Sequence, residues 1–172
     1  MGPIRAEVEI DVPREQVFER IADLALRPSF TDHFLTDFHL TRIETTGVGA
    51  GARFRVKAPL RSPWEDTAIV EQEESVQIVE RGSGGRTNRI ANHTVWELSG
   101  GSGLLTALRL SHWTEPTNPI DRGVEVLSSG SYWQERAWRE ALRRLRDTLE
   151  SDLPGAERIA VAGGNRYLTG IP

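Results

Sequence analysis

His112 and Asp66 are the side chains best suited to acid–base chemistry in this chain of 172 residues. A histidine that titrates near neutrality beside a carboxylate can abstract a proton or return one. Strand phasing is what would bring the two together. In residues 104–113, Arg109 and Ser111 point outward, so Leu108, Leu110 and His112 point inward. In residues 89–98, Arg89 and Glu97 point outward, so Ile90, Asn92, Thr94 and Trp96 point inward. In residues 64–71, Glu65, Thr67 and Glu71 are placed outward, which turns Trp64, Asp66, Ala68 and Val70 inward. A slip of one residue exchanges the faces of any of these strands. The structural alternative for His112 is a strand-end histidine bonded to backbone or solvent.

Asp32, His33, Asp37 and His39 are the one cluster of metal-ligand types. Their spacing matches no helix or strand face, so no metal is expected there. His33, Phe30 and Phe34 are instead expected near a pocket entrance. The chain has no cysteine, which excludes disulfides, thiol catalysis, cysteine-ligated zinc and iron–sulfur clusters. No cofactor is implied.

The elements that must position these groups follow from periodicity. Ile4, Ala6, Val8 and Ile10 alternate with charged residues, a strand with one wet face. Pro13 suits the first turn of a helix over 14–25, whose Val17, Phe18, Ile21, Leu24 and Ala25 recur at helical spacing. Pro28 stops it, and residues 29–36 form a second short helix or loop. Strands are expected at 38–44, 52–58, 64–72, 75–80, 87–98 and 104–115. Gly47-Val48-Gly49-Ala50-Gly51 reads as a hairpin turn, since a strand follows it rather than the helix a nucleotide loop requires. Glu73-Glu74, then Gly82, Gly84 and Gly85, then Gly100, Gly101 and Gly103 read as punctuation between strands. Helical spacing runs from about 121 to 150, until Pro154 and Gly155. The class is α+β: an antiparallel sheet whose apolar face only the last helix is large enough to cover.

That helix carries Leu127, Gln134, Trp138, Leu142, Leu145 and Leu149 on one stripe. Its C-terminal half is ordinary core. Its N-terminal half offers Leu127, Gly130, Ser131 and Gln134, small and polar groups that leave space and line it with hydrogen-bonding atoms. An irregular first turn at Gly130 is the plainer alternative. Trp133 lies about 120° from the stripe, where an aromatic side chain offers a partner surface or packs on the tail.

The opening strand with DVPREQVFERIADL, the hairpin TVWEL…TALRLSHW and the helix WQERAWREALRRLRDTLE resemble the START-like, helix-grip superfamily. That group includes polyketide cyclase/dehydrase and lipid-transport domains and pollen-allergen-like proteins. The resemblance covers roughly residues 4–150 and implies a curved antiparallel sheet of six to seven strands wrapped round a long C-terminal helix, with two short helices after strand 1. It also implies an apolar cavity between sheet and helix. No catalytic role carries over, since the superfamily has no shared catalytic motif.

Residues 1–152 are thus expected to form a ligand-binding domain. Residues 153–172 are expected to form a tail that packs on it, or on a second copy to make a homodimer. The expected partner is a hydrophobic small molecule, lipid or polyketide-like. It would be held by Trp64, Asn92, Thr94, Trp96, Leu108, Leu110, Leu127, Gly130, Ser131, Gln134 and Trp138. One alternative is a cyclase, aromatase or dehydratase working through His112 and Asp66. Another is an interaction module without ligand, using Trp133 and the tail. Twenty Arg and one Lys stand against 25 acidic residues, a net charge of −4 that offers no basic field for nucleic acid. No apolar run approaches the roughly 18–20 residues of a membrane span. The N-terminus lacks a basic-then-apolar leader, so cytoplasm is the expected compartment.

Overall fold

A computed structural model describes residues 3–57, 62–85, 89–100, 105–116 and 131–151. Seven strands form one antiparallel sheet: β1 (Ile4–Ile10), β2 (Leu35–Leu40), β3 (Gly51–Val56), β4 (Trp64–Glu73), β5 (Gln77–Gly84), β6 (Ile90–Ser99) and β7 (Thr106–Pro116). The spatial order is β1-β7-β6-β5-β4-β3-β2. Strands β2 to β7 are consecutive hairpin neighbours. Strand β1 closes the far side by pairing with β7, Ile4 opposite His112 and Ile10 opposite Thr106. Between β1 and β2 lie α1 (Arg14–Ala22), a 3-10 turn (Leu24–Leu26) and α2 (Pro28–Thr31). The C-terminal helix α3 (Ser131–Glu150) packs on β1 and α2.

Helix α1 buries Val17, Phe18, Ile21 and Ala22. It stops three residues short of the expected 25 because Asp23 turns extended and accepts the Ala25 amide at 3.0 Å, capping the 3-10 turn that follows. Pro28 opens α2, where its missing N–H costs nothing. Strand β2 starts three residues before the expected 38 and ends at Leu40. Asp37, at a φ of 51°, breaks its register against β3 between Thr36 and His39. Gly82 and Gly84 belong to β5 itself rather than to the turn after it.

One core cluster joins the inner face of the sheet to α1 and α3. Ala137, Trp138, Ala141, Leu142 and Leu145 are buried, and Leu149 is half-buried against them. The solvent side of α3 carries Arg139–Glu135 and Arg143–Glu140 pairs. Two contacts fix the C-terminal part of the helix: Arg144 reaches Asp32 at 2.7 Å, and Glu150 accepts the Asp11 amide at 2.8 Å. Trp133 is half-buried, edge-on to Phe34 with ring centroids 6.4 Å apart, rather than a free surface group. Among the described residues no helix is long and apolar enough to cross a membrane.

Candidate functional site

The inner faces of β3 to β6 can be followed strand by strand. On β6, Ile90, Asn92, Thr94, Trp96 and Leu98 are buried; on β7, Leu108, Leu110, His112 and Thr114. On β5 the inward series is Ile78, Glu80, Gly82, Gly84. The last two supply no side chain, and that leaves room. A Cβ on Gly84 would stand 2.7 Å from Glu65 Cγ, and one on Gly82 would meet the Asp66 carbonyl oxygen at 1.7 Å. At Gly82 the backbone of β4 approaches β5 so closely that only glycine fits.

Strand β4 corrects the expected phase. Thr67 and Ile69 are buried and Glu65 faces inward, which puts Trp64 and Asp66 on the outer face. Ala68 and Val70 follow them, and the ladder to β5 shifts register between Ile69 and Glu71. A tryptophan is tolerated outside because cations cover it. The Arg55 guanidinium lies 4.7 Å from the Trp64 ring centroid, that of Arg53 lies at 5.2 Å, and His39 meets the ring edge-on. Asp66 faces Arg53 at 3.5 Å. The structure therefore does not bring Asp66 to His112, and the expected acid–base pair does not form.

Asn92, Thr94, His112, Gln134 and Trp138 do come together around one interior cavity. Leu24, Phe34, Leu35, Phe38, Phe54 and Val56 make its apolar wall. Trp96, Leu108 and Leu110 face the same way but are core beside the cavity rather than its lining. Leu127 and Gly130 lie outside the described residues, as do the side chain of Ser131 and the tail. Phe34 packs edge-on to Trp138 at 4.9 Å and Phe38 stacks on Phe54 at 5.5 Å. The aromatic groups nearly fill the space, and the cavity volume is about 30 Å³. A wider depression of about 630 Å³, beside α1 and lined by Gln16, Glu19, Arg20, Gln72 and Glu74, is open surface.

The polar wall holds two residues that the strand and helix patterns alone do not single out, Arg27 and Glu80. Each is 3% exposed, and they pair at 2.7 Å. Glu80 Oε1 also accepts from Trp96 Nε1 at 2.8 Å, and Oε2 accepts from Thr67 Oγ1 at 3.2 Å. Arg27 Nη2 donates further to the Ile21 carbonyl at 3.0 Å, and its guanidinium lies 4.6 Å from the Trp96 ring centroid. Its Nε has no acceptor among the described residues. Two signals mark these residues. Glu80 is two positions from Ile78, on the same face. Arg27 is the lone charge in the apolar run from Leu24 to Phe30, where an unpaired cation would be costly.

His112 is bonded through Nδ1 to Thr94 Oγ1 at 2.9 Å. Burial lowers its pKa to about 4; the Glu80 carboxylate opposes the shift and His93 adds to it. An imidazole that weak stays neutral near pH 7 and is a poor general base there. The cluster Asp32, His33, Asp37 and His39 is dispersed. Asp32 pairs with Arg144, His33 Nε2–H donates to the Ala137 carbonyl at 3.1 Å, and His39 Nδ1–H donates to Asp37 O at 2.9 Å. Phe34 lines the cavity, whereas Phe30 is fully buried core. No group of three or more metal-ligating side chains occurs among the described residues.

No family model matches the chain, and neither does any curated protein. Solved structures do match. A START superfamily protein from Mycobacterium smegmatis is 15% identical, with 89% of this chain and 97% of that one covered and a TM-score of 0.60. The ginseng major latex-like protein 151 from Panax ginseng is 14% identical, with 89% and 98% covered and a TM-score of 0.63. A protein in the dynemicin biosynthetic locus is 18% identical with a TM-score of 0.60; 92% of this chain aligns to 50% of that one. At these identities the likeness is one of fold. The chain shares with them an α+β helix-grip fold: a curved seven-stranded antiparallel sheet round a C-terminal helix.

Proposed function

We propose that the protein binds a hydrophobic small molecule between the sheet and α3, its apolar body among Phe34, Phe38, Phe54 and Trp138 and its polar end at Arg27 and Glu80. The observation that carries this is the buried ion pair in the wall of an otherwise aromatic hollow. A buried pair seldom stabilises a fold more than apolar residues of the same volume would, so its presence beside a cavity supports a recognition role. A water needs roughly 10–15 Å³ of such space, so anything larger than about two waters must displace aromatic side chains to enter. The ring contacts of the apolar wall carry no hydrogen bonds, so repacking there costs least.

The small volume favours a second reading, an interaction module whose interior is simply filled. Titration with Nile red, together with native mass spectrometry of freshly purified protein, separates the two. The ligand reading expects saturable probe fluorescence or a co-purified molecule. It also expects that Gln134→Trp, at the half-buried lip on α3, abolishes probe binding while thermal unfolding stays cooperative. A parent protein that binds no probe and carries no small molecule leaves the second reading standing. A catalytic role through His112 and Asp66 gains no support from a geometry that puts the two on opposite faces.

A further inference from the structure

Resting on the ligand reading above, we propose that the group accepted at Arg27 is the uncharged oxygen of a hydrophobic molecule, a carbonyl, ether or hydroxyl, and not a carboxylate, sulfate or phosphate. The polar wall has a definite deficit. Glu80 has both oxygens engaged, by Arg27 and Trp96 on one and by Thr67 on the other. Arg27 Nη2 is engaged twice, by Ile21 O and Glu80. What lacks a partner among the described residues is a donor, Arg27 Nε–H, on a side chain that lines the cavity and is itself 3% exposed. A buried donor without an acceptor carries a desolvation penalty, and an incoming acceptor oxygen relieves it.

The charge of that acceptor is set by what already surrounds it. Arg27 and Glu80 are in contact at 2.7 Å, so their charges cancel locally. An anion at Nε would stand close to the Glu80 carboxylate that Nη2 of the same guanidinium already holds, in a site dry enough for like charges to repel strongly. His112, bonded to Thr94 and neutral near pH 7, supplies no compensating charge. A neutral oxygen satisfies the donor without meeting that repulsion.

Displacement of Nile red by dodecanol and by dodecanoate, at about pH 7.5 where the acid is ionised, tests this. The parent should bind dodecanol more tightly. Any apolar pocket shares some of that preference, so the specific readout is its change in variants. Glu80→Gln uncovers the Arg27 charge and should move the ratio toward dodecanoate by about tenfold or more. Arg27→Met with Glu80→Leu removes the donor and the pair together. It should still bind Nile red but lose about tenfold in dodecanol affinity, and it serves if Glu80→Gln fails to fold. Dodecanoate binding as tightly as dodecanol in the parent overturns the proposal. So does an unchanged ratio in folded Glu80→Gln, or undiminished dodecanol affinity in the double variant. If the parent binds neither Nile red nor dodecanol, the ligand reading fails first and this inference falls with it.

Discussion

The two ends of the helix–sheet sandwich solve different problems. Toward the C-terminus of α3, Ala141, Leu142 and Leu145 join Ile10, Leu108 and Leu110 in an apolar cluster that needs only volume and close fit. Toward its N-terminus, Gln134 and Trp138 face Arg27, Glu80, Asn92, Thr94 and His112, where every buried group needs a partner. Trp138 stands at the border, edge-on to Trp96 at 5.7 Å and near the His112 ring at 6.0 Å. The packed end makes the fold stable. The polar end carries a desolvation cost, which the proposed recognition of a ligand would account for.

The largest effect should come from splitting the ion pair. Glu80→Leu strands the Arg27 cation, Trp96 Nε1 and Thr67 Oγ1 in the interior and should destabilise by about 3–5 kcal/mol in denaturant unfolding. Arg27→Met with Glu80→Leu should recover the share due to the stranded cation, while Trp96 Nε1 and Thr67 Oγ1, still without their acceptor, keep about 1–3 kcal/mol of the loss. A double variant as unstable as the single one would mean that the pair is a stability element, and the contrast between the two ends would be lost.

His112 sharpens the same contrast through pH. Its pKa is about 4 in the folded protein against an ordinary 6.5, so the unfolded chain takes up the proton first. Its contribution to stability is therefore fully present above pH 6.5, falls as the pH drops from there to about 4, and is level below. The span is roughly 3 kcal/mol. His112→Asn, which keeps an amide near Thr94, should flatten the parent's decline in urea midpoints across that window. Equal slopes in the two proteins would show that the imidazole is not held neutral by burial.

Element order and class were legible because periodicity and punctuation act locally: alternation in β1, the glycine turn at 47–51, the Trp138–Leu149 stripe. Faces were legible where charge and apolarity agree, as on β6 and β7. They failed on β4, where periodicity alone turns the bulky Trp64 inward and the charged Glu65 outward. Cation–π cover from Arg53 and Arg55 makes the outer face acceptable to the first. The second faces inward, where Asn92 Nδ2 donates to it at 3.3 Å. Partners nine to 27 positions away decide these cases, and no local pattern encodes them. The Arg27–Glu80 pair spans 53 positions and was illegible as a pair for that reason.

The smallest expected effect tests why the cavity end is open at all. Gly82 occupies an inward position of β5 where any side chain would add wall. A Cβ there would lie 1.7 Å from the Asp66 carbonyl oxygen and 2.7 Å from Asn92 Oδ1. That carbonyl accepts from Asn92 Nδ2 at 3.4 Å, so it tips toward the cavity face over the bare Cα. Backbone cannot rotate away as a side chain would, and β4 must shift to admit even a methyl group. Gly82→Ala should therefore destabilise by about 1–3 kcal/mol, the usual range for overpacking. The outward neighbour Ser83→Ala should change stability by no more than about 0.5 kcal/mol. Because the shift moves Asn92 and the Glu65 it holds, Gly82→Ala should also weaken Nile red binding, while Ser83→Ala leaves it intact. A Gly82→Ala protein as stable as the parent, with the same probe affinity, would show that the close approach of β4 and β5 is not what shapes the hollow.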